Sequence, residues 1–212
     1  MADQRVMAEI AAARAAMAAL PEAGLDLIFR AAHTHNGWQD RPVEAALLAE
    51  VVALARMAPT AMNGQPLRIT WVVSEAAKAR LAPCLSEGNR AKTLAAPVTG
   101  ILWADADFWQ NLPRLAPHMA DPLGTYAGKP EAALAAARLN GALQAGYVIL
   151  AARALGLDCG PMGGFDSGAL AVEFAQDRPW VPLLLLNLGY GDASKVRPRA
   201  PRLEIAEMTE TL

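Results

Sequence analysis

The feature that most constrains this chain of 212 residues is a single long helical pattern over residues 131–155. From Gly146 onward that pattern is apolar on nearly every face, so the helix is predicted to lie at the centre of the fold. Residues 68–73, 98–103 and 181–190 are apolar or β-branched over the length of a strand. These elements predict a single α+β or α/β domain. Because three strands are few for this length, we expect both further short strands and strands from a partner subunit.

Other segments have helical spacing and are separated by prolines and turn residues. Residues 3–20 form an alanine-rich pattern that stops before Pro21. Further helices are predicted over residues 22–32, 43–57 and 75–83.

Composition and charge exclude several classes of protein. Hydrophobic residues make up 54% of the chain, which excludes general disorder, and 19 Lys and Arg against 21 Asp and Glu give no basic excess for binding nucleic acid. No apolar run approaches the roughly 20 residues of a membrane span, and charges interrupt the N-terminal alanines, so we expect a cytoplasmic protein without membrane association. Cys84 and Cys159 are predicted to be reduced, buried thiols.

Familiar catalytic motifs are absent from the sequence. No P-loop, nucleophile elbow or zinc-protease helix is present, and the glycines at 160–164 do not have Rossmann spacing. His33 and His35 lie two residues apart without a nearby Cys or acid, so no metal site is predicted.

Two polar segments could bind a ligand or serve only as turns. The segment around His33, Thr34 and Asn36 offers main-chain amides and a hydroxyl to an anion, although such residues are also ordinary helix caps. Residues 58–66 place two amide side chains, Asn63 and Gln65, on a loop stiffened by prolines. Each amide has a donor and an acceptor that match the edge of a planar heterocycle.

Two later segments extend this pattern. Residues 160–166 contain three glycines in five positions, which let the backbone approach a flat ligand closely, although a tight turn between two helices is an equal alternative. The tail carries Arg199 and Arg202 among prolines, and guanidinium groups suit a phosphate. The four segments together describe a site for a phosphorylated aromatic ring, and flavin mononucleotide (FMN) fits that description.

Three of these segments resemble the nitroreductase family. Ala55–Pro66 is similar to its helix-to-loop motif, Gly156–Asp166 to its flavin-facing turn, and Leu188–Gly191 with the tail arginines to its last strand and phosphate-binding tail. The resemblance implies an N-terminal helical extension over residues 1–24 and an FMN-binding domain over residues 25–212.

The resemblance also implies an assembly and a reaction. It implies a homodimer in which a central mixed sheet is flanked by helices and the C-terminal extensions are exchanged between subunits. Two FMN sites would lie at the subunit interface, with NADH or NADPH as electron donor and a small carbonyl or nitro compound as acceptor. The protein supplies position and polarity, while the cofactor carries the redox chemistry.

Individual site residues follow from the resemblance by position. Gly163 and Gly164 would lie against the isoalloxazine as the catalytic positions, with the Gly164 N–H near N5, and Asn63 would reach the ring from the other chain. The implied cofactor-binding set is His33, Thr34, Asn36, Pro59, Thr60, Asn63, Gln65, Pro161, Met162, Gly163, Gly164, Arg199 and Arg202.

Two positions depart from the common family pattern. Ala32 and Asn36 stand where many members have a cation, so either Arg30 or the tail arginines compensate the phosphate charge or FMN is bound more weakly and lost on purification. Gly163 replaces a frequent glutamate and leaves more room above the ring.

Residues 34–38, 86–89, 160–162 and 189–192 look most like the branch of the family that reduces malonic semialdehyde in pyrimidine degradation. Arg114 and Arg138 are candidates to bind the carboxylate of that substrate. The alternatives are a general nitro, quinone or enone reductase, or a flavin-binding dimer without turnover. Residues 105–129 are predicted to pack through their aromatic side chains, with a lid over the ring as the alternative.

Overall fold

A four-stranded sheet forms the centre of the fold in the computed structural model, which describes residues 3–212. The strand order is β1-β2-β4-β3 and each neighbouring pair is antiparallel, while Thr34 adds a parallel bridge to Cys159. The strands are β1 (Leu67–Val72), β2 (Val98–Asp105), β3 (Asp158–Met162) and β4 (Trp180–Gly189). The predicted α+β architecture with a mixed sheet flanked by helices is confirmed.

Helices flank this sheet along the described chain. They are α1 (Gln4–Ala16), α2 (Glu22–Leu25), α3 (Ala45–Ala55), α4 (Glu75–Leu81), α5 (Glu87–Leu94), α6 (Leu112–Leu115), α7 (Pro130–Ala154), α8 (Ser167–Leu170) and α9 (Ile205–Met208). A π-helical turn extends α2 over Asp26–Arg30, and another extends α8 over Ala171–Ala175.

Helix α7 packs across the sheet through a face of small residues. Ala137, Ala145 and Ala152 are buried there, and a side chain at Gly141 would lie 2.9 Å from a methyl carbon of Leu183. Small side chains let the helix axis approach the strands closely, so the predicted central position of this helix is confirmed. The opposite face is exposed in the single chain, although the sequence pattern is apolar there as well.

Strand β3 corrects the alternative in which the glycine segment is a turn between two helices. Residues 158–162 pair with β4, and only the following glycines form the turn. Proline is rare in sheet interiors because it cannot donate to the ladder, but Pro161 is tolerated since β3 is an edge strand of the sheet. The sequence does not predict helix α5, because its residues are largely polar. In the structure Thr93 is the one buried residue of this helix.

The N-terminal helix is shorter than its alanine content suggests. It ends at Ala16, where Met17 turns to an extended conformation, and none of its residues is buried. The second predicted helix, over residues 22–32, is an α-helical turn followed by a π-helical turn that ends at Arg30.

Candidate functional site

Several surface cavities have volumes between about 370 and 420 Å³. The one of 370 Å³ is lined by two of the predicted ligand segments. The loop that contains His33, Thr34 and Asn36 meets the tail that contains Arg199 and Arg202. No carboxylate lines this cavity in the described part of the chain. Its complete lining is Phe29, Ala32, His33, Thr34, Asn36, Arg153, Arg197, Pro198, Arg199, Ala200 and Arg202.

The loop of this cavity is held as an irregular extra strand on the sheet. The N–H of His35 donates to the carbonyl of Cys159 at 2.9 Å, and the N–H of Gln39 donates to the carbonyl of Tyr190 at 2.8 Å. A side chain at Gly191 would overlap the buried His35 ring, so a glycine is needed for this close approach. The loop position therefore depends on the ends of β3 and β4.

Arg153 is a cavity residue that sequence analysis missed. It lies in the last turn of α7, and one of its Nη atoms donates to the carbonyl of Ile28 at 3.0 Å. Its Nε is buried without a hydrogen-bond partner in the described structure. An unpartnered buried guanidinium atom beside a cavity without carboxylates fits a phosphate ligand. No motif marks this arginine, because it lies within an apolar helical pattern.

Arg30 is predicted as a cation that could compensate the phosphate charge. In the structure it forms ion pairs with two carboxylates instead. Its guanidinium contacts the carboxylate of Glu22 at 2.6 Å and that of Asp26 at 3.0 Å, and these hydrogen bonds raise its pKa. Arg30 does not line the cavity, although its carbonyl accepts a hydrogen bond of 2.7 Å from Arg199. The arginines that line the cavity are therefore Arg153, Arg197, Arg199 and Arg202.

The glycine turn follows β3 directly. An added Cβ at Gly163 would meet nothing within 4 Å, whereas one at Gly164 would lie 2.5 Å from Asn89 and 2.6 Å from Ser86. The Gly164 carbonyl accepts the Asn89 amide at 2.9 Å, the Ser86 hydroxyl at 2.9 Å and the Ser86 N–H at 3.2 Å. These donors fix the Gly164 backbone, while its own N–H makes no hydrogen bond within residues 3–212. Pro161 and Met162 precede the turn and are half-buried.

The amide loop adopts a strained conformation that other residues stabilise. Met62, Asn63 and Gln65 have φ of 53°, 53° and 46°, in the left-handed region that such residues seldom adopt. The Asn63 amide donates to the Leu115 carbonyl at 2.9 Å and accepts from the Gln65 amide at 2.9 Å. The side chain of Asn140 on α7 accepts from the Ala61 N–H at 2.8 Å. Pro59 and Thr60 precede this turn, and Thr60 accepts from the Gln65 N–H at 3.2 Å.

The structure does not bring the amide loop to the glycine turn within one chain. The loop leads into β1 and the turn follows β3, and these strands are the two opposite edges of the sheet. Three interstrand spacings separate the edges by about 14 Å. By contrast, the cavity loop and the glycine turn are joined by β3.

The remaining candidates lie apart from these groups. Arg114 on α6 and Arg138 on α7 are exposed. Within residues 105–129, Phe108 is buried and its ring packs edge-on against Tyr126 at a centroid distance of 5.3 Å, which confirms aromatic packing there. The described residues contain no group of three His, Cys, Asp or Glu side chains that could hold a metal ion, and none of their helices is long and apolar enough to cross a membrane.

Comparisons with known proteins agree with this architecture. The sequence profile of the nitroreductase family matches residues 30–190. A protein from Leptothrix cholodnii, provisionally named an NADH dehydrogenase/NAD(P)H nitroreductase, is 53% identical over 186 residues, which are 88% of this chain and 94% of that protein. A protein of the same name from Stutzerimonas stutzeri is 53% identical over 179 residues, which are 84% and 91% of the two chains.

Solved structures have the same fold. A protein from Bacillus subtilis described provisionally as a nitroreductase superposes with a TM-score of 0.82 at 20% identity and covers 91% of this chain and 100% of its own. A protein from Exiguobacterium sibiricum, described in the same way and solved in complex with FMN, superposes with a TM-score of 0.78 at 21% identity. The match covers 92% of this chain and 98% of that one.

Proposed function

This chain belongs to the nitroreductase family, and from that premise we propose that it is an FMN-dependent oxidoreductase that uses NADH or NADPH. Two findings support the cofactor and the donor. A relative that is 53% identical is named for NAD(P)H, and a structure of the same fold was solved with FMN. The geometry of the chain supports the same cofactor independently.

The observation that carries the proposal is the connection that β3 makes between the cavity and the glycine turn. The cavity loop pairs with Cys159 at the start of β3, and Gly163 follows its end. Four residues of strand span about 13 Å, so the arginine-lined cavity and the glycine turn lie at the two ends of an elongated path. An elongated ligand with a phosphate and a planar ring fits that path.

The chain's residues have separate tasks in this proposal. The arginines, His33 and Thr34 would bind the phosphate, and Asn36 would face the adjoining ribityl chain. Pro161 and Met162 would place the turn beside the ring, and the free N–H of Gly164 would donate to it. When bound, FMN supplies a redox centre that accepts hydride from the nicotinamide and returns it to an acceptor.

The position of the amide loop supports a homodimer. Because that loop lies on the far edge of its own sheet, a second copy of the chain would supply Asn63, Gln65, Pro59 and Thr60 to the ring. The C-terminal segment is consistent with an exchanged arm, since Leu203 just before α9 and Ile205 and Met208 within it are all at least 63% exposed. Apolar side chains at such exposure favour a covering partner.

Malonic semialdehyde is the proposed acceptor, with 3-hydroxypropanoate as product. The open space at Gly163 leaves room for a small acceptor above the ring, and Arg114 or Arg138 would bind its carboxylate. The same open space favours the second candidate, a general reductase of nitro, quinone or enone compounds, because nothing bulky restricts the acceptor.

Absorption spectra and turnover test the proposal. Purified protein titrated with FMN should acquire the flavin spectrum at one FMN per chain, and NADH or NADPH should bleach it. The value of kcat/KM should be higher for malonic semialdehyde than for a nitroaromatic or a quinone. The reverse order would favour the general reductase, flavin binding without turnover would indicate a non-catalytic dimer, and no flavin binding would refute the proposal.

A further inference from the structure

The Arg153 guanidinium is positioned by one hydrogen bond and is not neutralised by a carboxylate of the described chain. Its one hydrogen bond in the described structure is to the Ile28 carbonyl, and it takes part in no ion pair with a carboxylate among residues 3–212. The positive charge of Arg153 also acts on the thiol of Cys159 in β3. Burial, the larger effect, raises the pKa of that thiol, and the charge of Arg153 lowers it. Arg153 therefore presents a cation between the start of β3 and the cavity.

The tail arginines are more exposed to solvent than Arg153. Arg202 donates to the carbonyls of its own neighbours Ala200 and Pro201, and Arg199 donates to the carbonyls of Arg30 and Ala32, while both side chains are exposed. A surface cation on a proline-rich segment loses more conformational entropy when it orders around a ligand. Arg153 projects from the last turn of a 25-residue helix, and its buried Nε and its hydrogen bond to Ile28 leave the guanidinium less of that freedom to lose.

We propose that Arg153 is the residue by which this site selects the phosphorylated flavin over riboflavin, an inference that rests on the proposed FMN site. An unpartnered, partly buried guanidinium gains an ion pair and a charge-assisted hydrogen bond from a phosphate, whereas a ribityl hydroxyl at the same place would offer only a weaker hydrogen bond without the opposite charge. Arg153 thus takes over the charge compensation that Ala32 and Asn36 do not provide. The tail arginines add a weaker, more strongly screened attraction.

The test compares the affinities of two flavins in three variants. Arg153→Met keeps the apolar stem and removes the charge, Arg153→Lys keeps the charge and removes the forked donors, and Arg14→Met on the exposed α1 is the control. Flavin fluorescence quenching measures the Kd of FMN and of riboflavin for each protein. Thermal unfolding without flavin reports whether each variant is folded.

We expect Arg153→Met to raise the Kd of FMN by about 10- to 100-fold and to leave the Kd of riboflavin within about twofold. Arg153→Lys should give an intermediate value for FMN, and Arg14→Met should match the unmodified protein. Equal weakening of both flavins would show a structural role and overturn the inference, as would an unchanged Kd of FMN. If the unmodified protein binds neither flavin, the proposed function itself fails. If Arg153→Met does not fold, the ratio of the Kd of FMN to the Kd of riboflavin in Arg153→Lys tests the inference instead. An unchanged ratio would overturn it.

Discussion

Gly163 and Gly164 are adjacent in the chain, yet the structure gives them different surroundings. Gly163 faces open space, whereas Gly164 is surrounded by the side chains of Ser86 and Asn89. The resemblance predicts that both glycines face the ligand, but the sequence does not show which one tolerates a side chain. That distinction arises from α5 and the turn before it, which are remote in sequence.

Gly164→Ala should therefore be the more harmful of two matched substitutions. The new methyl group would displace Ser86 or Asn89 and destabilise the protein by about 1–3 kcal/mol, whereas Gly163→Ala should change stability by less than about 0.5 kcal/mol. Thermal unfolding measures the stability, and FMN titration measures whether the turn keeps its geometry. Equal effects of the two substitutions would contradict the contacts described for Gly164.

Cys159 is a second residue whose chemistry depends on its surroundings. Burial raises the pKa of its thiol from 9.0 to about 12, and burial also raises the pKa of Cys84. Because the unfolded thiol loses its proton at lower pH than the folded one, stability should decline as pH rises from about 9 towards 12. Below pH 9 this group should contribute no pH dependence.

Alkylation by iodoacetamide at pH 8 tests the burial of both thiols. The folded protein should be modified slowly at either cysteine, and the denatured protein should be modified rapidly at both, as measured by mass spectrometry of peptides. Rapid modification of Cys159 in the folded protein would show that β3 opens to solvent.

Helix α1 is predicted by the sequence, but it packs no buried face against the rest of the described chain. Its alanines support a helix locally, but no residue of Gln4–Ala16 is buried. Helices that bury no face contribute little to tertiary stability. The following segment is different, because the Ile28 carbonyl accepts a hydrogen bond from Arg153.

Removal of residues 1–17 should leave the unfolding temperature within about 2 °C and the Kd of FMN unchanged, because only surface contacts of less than about 0.5 kcal/mol are lost. Removal of residues 1–30 is the matched comparison and should weaken FMN binding, since Arg153 then loses its support. A large loss of stability on the shorter deletion would place α1 against another part of the assembly.

At the scale of the whole molecule, α7 presents an apolar stripe that the single chain leaves uncovered. Leu139, Leu143 and Tyr147 recur every four residues and are 71%, 42% and 38% exposed. The opposite face of the same helix packs on the sheet. Within one chain the sheet and α3 cover other faces of α7, so this exposed stripe favours a second copy of the chain as its partner.

Leu143→Glu should weaken self-association by about 100-fold or more, because a carboxylate would be buried in an apolar interface. Sedimentation velocity measures the association, and FMN titration should show weaker binding in the monomer if the second chain supplies the amide loop. Val172→Glu, at a position that is 79% exposed and lies outside α7, is the control and should leave both measurements unchanged. A monomeric unmodified protein that binds FMN normally would contradict the proposed dimer.

The sequence by itself determined the elements whose pattern is local. The periodicity of α3 and α7 and the apolar runs of β2 and β4 lie within single segments, so their positions were predicted to within a few residues. Only the tertiary structure decided that residues 158–162 are a strand, that Arg153 enters the cavity and that the amide loop lies far from the glycine turn. These outcomes depend on pairing between remote segments, and a pattern within one segment does not record what packs against it.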